Sequence, residues 1–118
     1  MKPKIIFHEC LKDAQHYGSN DEYMVSRIFF SFVIDNKTVK NCYVNVKQAV
    51  GTDFKTGPIE VEQPIGYKGP FNYEAFRKAA ENYYRSLDES EDQVINISDS
   101  KNIRMKNNLF KTRSIVEI

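Results

Sequence analysis

Met24, Ile28, Phe30, Phe32 and Ile34 fall on one parity of the chain, and Cys42, Val44, Val46 and Val50 share one parity farther along. Alternation of this kind collects apolar side chains on one side of an extended backbone, so residues 22–50 predict two long strands, each with a buried face. The turn between them lies in Asp35-Asn36-Lys37-Thr38. A two-residue Asn36-Lys37 loop sets Phe30 opposite Tyr43 and Phe32 opposite Asn41, mixing apolar with polar positions. A three-residue loop, Asn36 to Thr38, sets Phe32 against Cys42, Phe30 against Val44 and Ile28 against Val46. Because a slip of one residue reverses every side chain, this second register is the expected one. Just upstream, Ser19-Asn20-Asp21-Glu22 matches a helix capping box. The β-branched and aromatic residues that follow it suit a strand instead.

Lys4 to His8 reads as a short strand, and Cys10, Leu11, Ala14 and Tyr17 have helical spacing that ends at Gly18. A stronger helical signal runs from Asn72 to Leu87. Asn72 is a good N-cap, Glu74 sits in the first turn, and Tyr73, Phe76, Ala80, Tyr83 and Leu87 form one apolar stripe. Arg77, Lys78, Glu81, Asn82 and Arg85 take the other sides. Asp88, Glu89, Glu91 and Asp92 oppose the helix dipole and read as a solvated connection. Gln93 to Ser98 and Leu109 to Ile118 then read as strands, with Ile103 to Lys106 a short one and Asn107-Asn108 a turn. This order predicts an α+β domain spanning 1–118: a meander-like antiparallel sheet of about five strands with one main helix packed on one face.

The segment GPIEVEQPIGYKGPFN, from Gly57 to Asn72, holds three of the four prolines and three of the five glycines. Proline fixes φ and glycine opens positive φ, so their alternation around Ile59, Val61, Ile65, Tyr67 and Phe71 predicts a shaped, packed loop. Long ordered loops often carry function. The loop and the helix start are therefore the expected interaction surface, with Glu60, Glu62, Tyr67, Lys68, Phe71 and Tyr73 as its residues.

A chain of 118 residues is one domain by length and buries roughly 65% of its unfolded surface, enough for a core without staples. Cys10 and Cys42 are too few for a disulfide framework, and the chain opens with no signal-peptide pattern, so the expectation is a cytoplasmic protein with free thiols. The Asn36 and Asn96 sequons carry little weight in that setting. No apolar run approaches a membrane span.

Candidate chemistry is sparse. His8, Cys10, His16 and Cys42 are the soft-ligand residues, but they lack the paired spacing of a zinc site and Cys42 lies on a core parity, so no metal or cofactor is expected. Glu60 and Glu62 share one side of an extended segment. Two carboxylates so placed serve acid–base chemistry if a histidine joins them, or simply form the wet side of an edge strand. Gly66-Tyr67-Lys68-Gly69 matches neither a phosphate loop nor a dinucleotide fingerprint, although it feeds a helix N-terminus where an anion could sit.

The net charge of +1 singles out no partner. Residues 1–92 carry 12 basic against 14 acidic side chains, whereas 93–118 carry Lys101, Arg104, Lys106, Lys111 and Arg113 against Asp99 and Glu117. Such a tail with Phe110 could grip single-stranded nucleic acid, yet the imbalance is weak for that class, which leaves nucleic acid an unlikely partner. The leading expectation is a small binding module for a small molecule or protein, with a homo-oligomer allowed by its open strand edges. The rival expectations are a small hydrolase-like enzyme using Glu60 or Glu62 with a histidine, and a nucleic-acid binder using Arg104, Lys106 and Arg113.

Overall fold

A computed structural model describes residues 2–18, 22–53, 55–87 and 109–118. Six strands and one helix occur in it: β1 (Lys4–Tyr17), β2 (Tyr23–Ile34), β3 (Lys37–Ala49), β4 (Ile59–Val61), α1 (Tyr73–Ser86), β5 (Leu109–Phe110) and β6 (Ser114–Glu117). The sheet runs β4-β3-β2-β1, with β5 and β6 following each other along the far side of β1, and every pairing is antiparallel. The α+β expectation holds. No described helix is long and apolar enough to cross a membrane.

Parity survives in β2 and β3, where Ile28, Phe30, Phe32, Cys42, Val44 and Val46 are all buried, but the expected register does not. Ile28 faces Val44 and Phe30 faces Cys42, while Phe32 faces Val39 and Ile34 faces Lys37. The turn is the two residues Asp35 and Asn36, both at positive φ, as a mirror-image hairpin turn requires. A bulge at Lys40 and Asn41, with Asn41 at φ 63°, then inserts one residue and returns the apolar positions to the core. The three-residue loop assumed an unbroken ladder. Val50, placed with the buried set by parity, is 51% exposed where β3 has ended.

The helix expected after Cys10 is absent; β1 continues unbroken to Tyr17, paired with Tyr23. Two irregularities imitate helical spacing. His8 is an extra residue between Phe7 and Glu9, which pair with the adjacent Phe30 and Phe29, so Phe7 and Cys10 reach the core from opposite parities. Between Leu11 and Gln15 the strand carries further extra residues, where Asp13 has φ 53° and donates its N–H to Ser26 Oγ at 2.9 Å. The C-terminal strand is split into β5 and β6 rather than continuous. The expected strands 93–98 and 103–106, the 107–108 turn, the acidic run 88–92 and the start of the capping box fall outside the described residues.

Helix α1 matches its stripe. Asn72 caps it by accepting from Ala75 N–H at 3.1 Å, and Phe76, Ala79, Ala80, Tyr83, Tyr84 and Leu87 are buried. Phe76 lies 5.3 Å from the Phe30 ring, and Tyr83 stacks on Phe7 at 4.7 Å. Outside, Arg77 bridges Glu74 and Glu81, and Arg85 joins Glu81.

The 57–72 segment completes the same layer. Tyr67 stacks on Phe32 with centroids 4.2 Å apart, and Phe71 meets Phe32 and Phe76 edge-on. Gly66, at φ +112°, lies so close to β3 that a Cβ there would come within 2.8 Å of Cys42 Cα. Only glycine combines that φ with that approach.

Candidate functional site

The helix and loop cover one face of the sheet and leave the other open among the described residues. Strand β2 divides the two. Phe30 points into the core, while its neighbour Phe29 lies on the open face between Glu9 of β1 and Tyr43 of β3. The next row is Leu11, Arg27 and Asn45, and the one after is Gln15, Val25, Lys47 and Glu60. In the opposite direction Ile6 pairs with Ile115, which is 56% exposed.

Two long cations shield part of this face. The Arg27 guanidinium lies 4.0 Å from the Tyr43 ring centroid and its Nε donates to Asn45 Oδ1 at 3.0 Å. Lys47 Nζ lies 4.9 and 5.1 Å from the rings of Tyr17 and Tyr23, and 3.9 Å from Glu60 Oε1. Stems laid over rings in this way protect apolar surface while keeping charge in water. Among the described residues no cation lies over the half-buried Phe29 ring, and Ile115 stays exposed.

Beside Phe29 the face opens into a cleft of about 400 Å³ lined by His8, Glu9, Ser31, Lys40 and Asn41. The β3 bulge at Lys40 and Asn41 lies opposite Ser31, and the β1 bulge at His8 lies one step along, opposite Phe29 and Phe30, and each spreads the local ladder. His8 Nε2 and Ser31 Oγ are hydrogen-bonded at 2.8 Å. A serine and histidine at that distance have the spacing of a nucleophile and its base, but no described carboxylate hydrogen-bonds the histidine to orient it. As built, the cleft offers hydrogen bonds beside an aromatic ring. Neither bulge announces itself by hydrophobic period; the available signal for the β3 bulge is Asn41, a residue type that tolerates positive φ, and the His8 bulge has none.

The expected site divides between the two faces. Glu60, exposed, pairs with Lys47, and the backbone N–H of Glu62 bonds to Asn45 O at 2.9 Å, so β4 brings this stretch to the rim of the open face. Ile65 follows there, bridged to Tyr43 and 47% exposed. Tyr67, Phe71 and Tyr73 turn to the covered side, half-buried, and the Tyr73 hydroxyl donates to Val61 O at 3.0 Å. Lys68 alone of the loop–helix set projects freely into solvent near them. The carboxylates do not meet a histidine: with strands about 4.8 Å apart, Glu60 lies three strands, or about 14 Å, from β1 and its histidines. His16 moreover shares its row with Met24 and Gln48 of the covered face.

Cys10 and Cys42 are buried and free. Burial pushes the Cys10 thiol up to about 12 and raises that of Cys42, so both remain protonated near neutrality, unsuited to nucleophilic attack or metal ligation. No three His, Cys, Asp or Glu converge among the described residues. Of the basic tail, Arg104 and Lys106 lie outside the described residues, and Arg113 is exposed just ahead of β6.

A second cavity, about 420 Å³, adjoins Lys12, Asp13, Gln48 and Asp53 at one end of the covered face. Its polar groups satisfy one another: Lys12 pairs with Asp13 at 3.1 Å, Gln48 accepts from the Tyr84 hydroxyl at 2.7 Å and donates to Asp53 O at 2.9 Å. That arrangement is a closed structural network. Compared with known proteins, the chain matches no family model, no curated protein and no solved structure.

Proposed function

We propose that the chain is a binding module whose interaction surface is the open face of the sheet, centred on Phe29 and anchored by the cleft over Ser31. The observation that supports this reading is the half-buried Phe29 ring at the rim of a polar cleft, beside Tyr43 and under no cation, on a face whose Tyr17, Tyr23 and Tyr43 rings lie under Lys47 and Arg27. A half-exposed aromatic ring beside hydrogen-bonding groups fits a partner with an apolar group next to a donor or acceptor. The loop–helix junction supports such a role less well, since Tyr67 and Phe71 spend their rings on core packing. A cytoplasmic setting belongs to the same reading, because two buried free thiols suit a reducing compartment.

The test is amide NMR of the full chain with a fragment library of small aromatic amides and carboxylates. Shifts grouped at Phe29, Ser31, Lys40 and Tyr43, lost in a folded Phe29→Ser variant, are expected. Shifts grouped between Gly66 and Tyr73 instead would overturn the reading in favour of the loop.

A further inference from the structure

Strand β6 ends the sheet beyond β1, and its outer edge has no partner among the described residues. Which backbone groups that edge presents follows from one hydrogen bond. Ile118 N–H donates to Pro3 O at 2.9 Å, so the groups of Ile118 point toward β1. In an antiparallel ladder the direction alternates, so Val116 and Ser114 also turn toward β1, while Glu117, Ile115 and Arg113 direct their N–H and C=O groups to the free edge. The side chains of these same three residues are exposed, and Ile115 carries the most exposed large apolar side chain among the described residues.

An unpaired edge bearing an exposed isoleucine is a template for another strand. If that strand is a second copy of β6 related by a two-fold axis, the axis passes through one of its residues. Centring it on Ser114 or Val116 sets Ile115 against the charged Arg113 or Glu117 of the other copy. Centring it on Arg113 opposes two arginines, and centring it on Glu117 opposes two glutamates; both are unfavourable. Centring it on Ile115 sets isoleucine against isoleucine and places Arg113 of each copy opposite Glu117 of the other. All three outward-facing residues then exchange backbone hydrogen bonds, and both charges are matched.

We propose that two copies of this chain associate through β6, antiparallel and in the register Ile115 to Ile115, to make one continuous sheet. The pairing joins the Ile6 and Ile115 strips of the two open faces across the axis. It does not depend on those faces binding a partner.

Two measurements on the full chain test it. Directly opposed residues in a hydrogen-bonded antiparallel pair have Cα atoms about 5.5 Å apart, within disulfide range. Because Cys10 and Cys42 are buried, Ile115→Cys supplies an accessible thiol and is expected to form a covalent dimer under mild oxidation much faster than Lys111→Cys. In sedimentation equilibrium over a concentration series, Arg113→Glu is expected to weaken the dimer about tenfold by opposing two carboxylates at each end, and Arg113→Glu with Glu117→Arg to restore it. A monomer at every concentration, a dimer indifferent to Arg113→Glu, or cross-linking no faster at residue 115 than at 111 would each overturn the proposal. Circular dichroism establishes that each variant is folded before it is scored.

Discussion

Phe29 and Phe30 are adjacent in β2, and the sheet sends them into different surroundings. Phe30 is 1% exposed and meets Phe7 and Phe76, in a layer where helix, loop and strand side chains interlock. Phe29 lies between Glu9 and Tyr43 on a face that no described element covers. The same residue type therefore serves two purposes. On the covered side an aromatic ring excludes water from the core, and its loss leaves a cavity. On the open side it holds part of its area available, while Arg27 and Lys47 keep the neighbouring rings from presenting a larger apolar patch.

Truncation should separate the two faces most sharply. Phe30→Ala is expected to cost about 3 to 5 kcal/mol, and Phe29→Ala about 1 kcal/mol or less, in urea titrations of each variant. Similar losses would mean that the open face is packed in solution and the comparison fails.

A smaller effect sharpens the comparison for polar groups. The Tyr84 hydroxyl, fully buried, holds Gln48 Oε1, whereas the Arg27 to Asn45 hydrogen bond lies on the open side. Tyr84→Phe is expected to cost about 1 to 2 kcal/mol, because it strips a buried acceptor, and Asn45→Ala less than about 0.5 kcal/mol. The difference extends to alkaline pH. Burial pushes Tyr84 up to about 12 from 10.0. The folded state thus holds the phenolic proton more tightly than the unfolded chain, a contribution present below pH 10 and lost as pH rises through about 12. Thermal melts between pH 9 and 12 should show Tyr84→Phe losing stability less steeply than the parent, with Cys10 and Tyr83 retaining part of the slope.

Much of the covered face was legible in the chain. Helix α1 obeys its stripe because nothing interrupts a 3.6-residue period between Asn72 and Leu87, and β2 shows its parity because no extra residue lies within it. The open face was not legible, for the same physical reason that β1 was misread. Bulges insert residues without a hydrophobic mark, so the shift at His8 moved Phe7 and Cys10 to opposite parities, and the shift between Leu11 and Gln15 broke the alternation that would have marked the rest of β1 as a strand. The turn at Asp35 and Asn36 together with the one-residue bulge at Asn41 put the β2–β3 register two residues from the expected one while preserving parity. The cleft over Ser31 forms where these two irregularities fall one step apart on either side of β2, a coincidence of register that no local pattern encodes. The proline- and glycine-rich loop is shaped and packed, as its composition predicts. What the sequence pattern did not separate was Glu60 and Glu62, which follow the edge strand, from Tyr67 and Phe71, which follow the core.

The central claim is that the two faces of one sheet differ in what they leave available. Hydroxyl-radical footprinting of the native chain, read residue by residue by mass spectrometry, measures this directly. Oxidation of Phe29 faster than that of Phe30, Phe32 and Phe76 is expected. Protection of Phe29 equal to that of Phe30 would contradict the account.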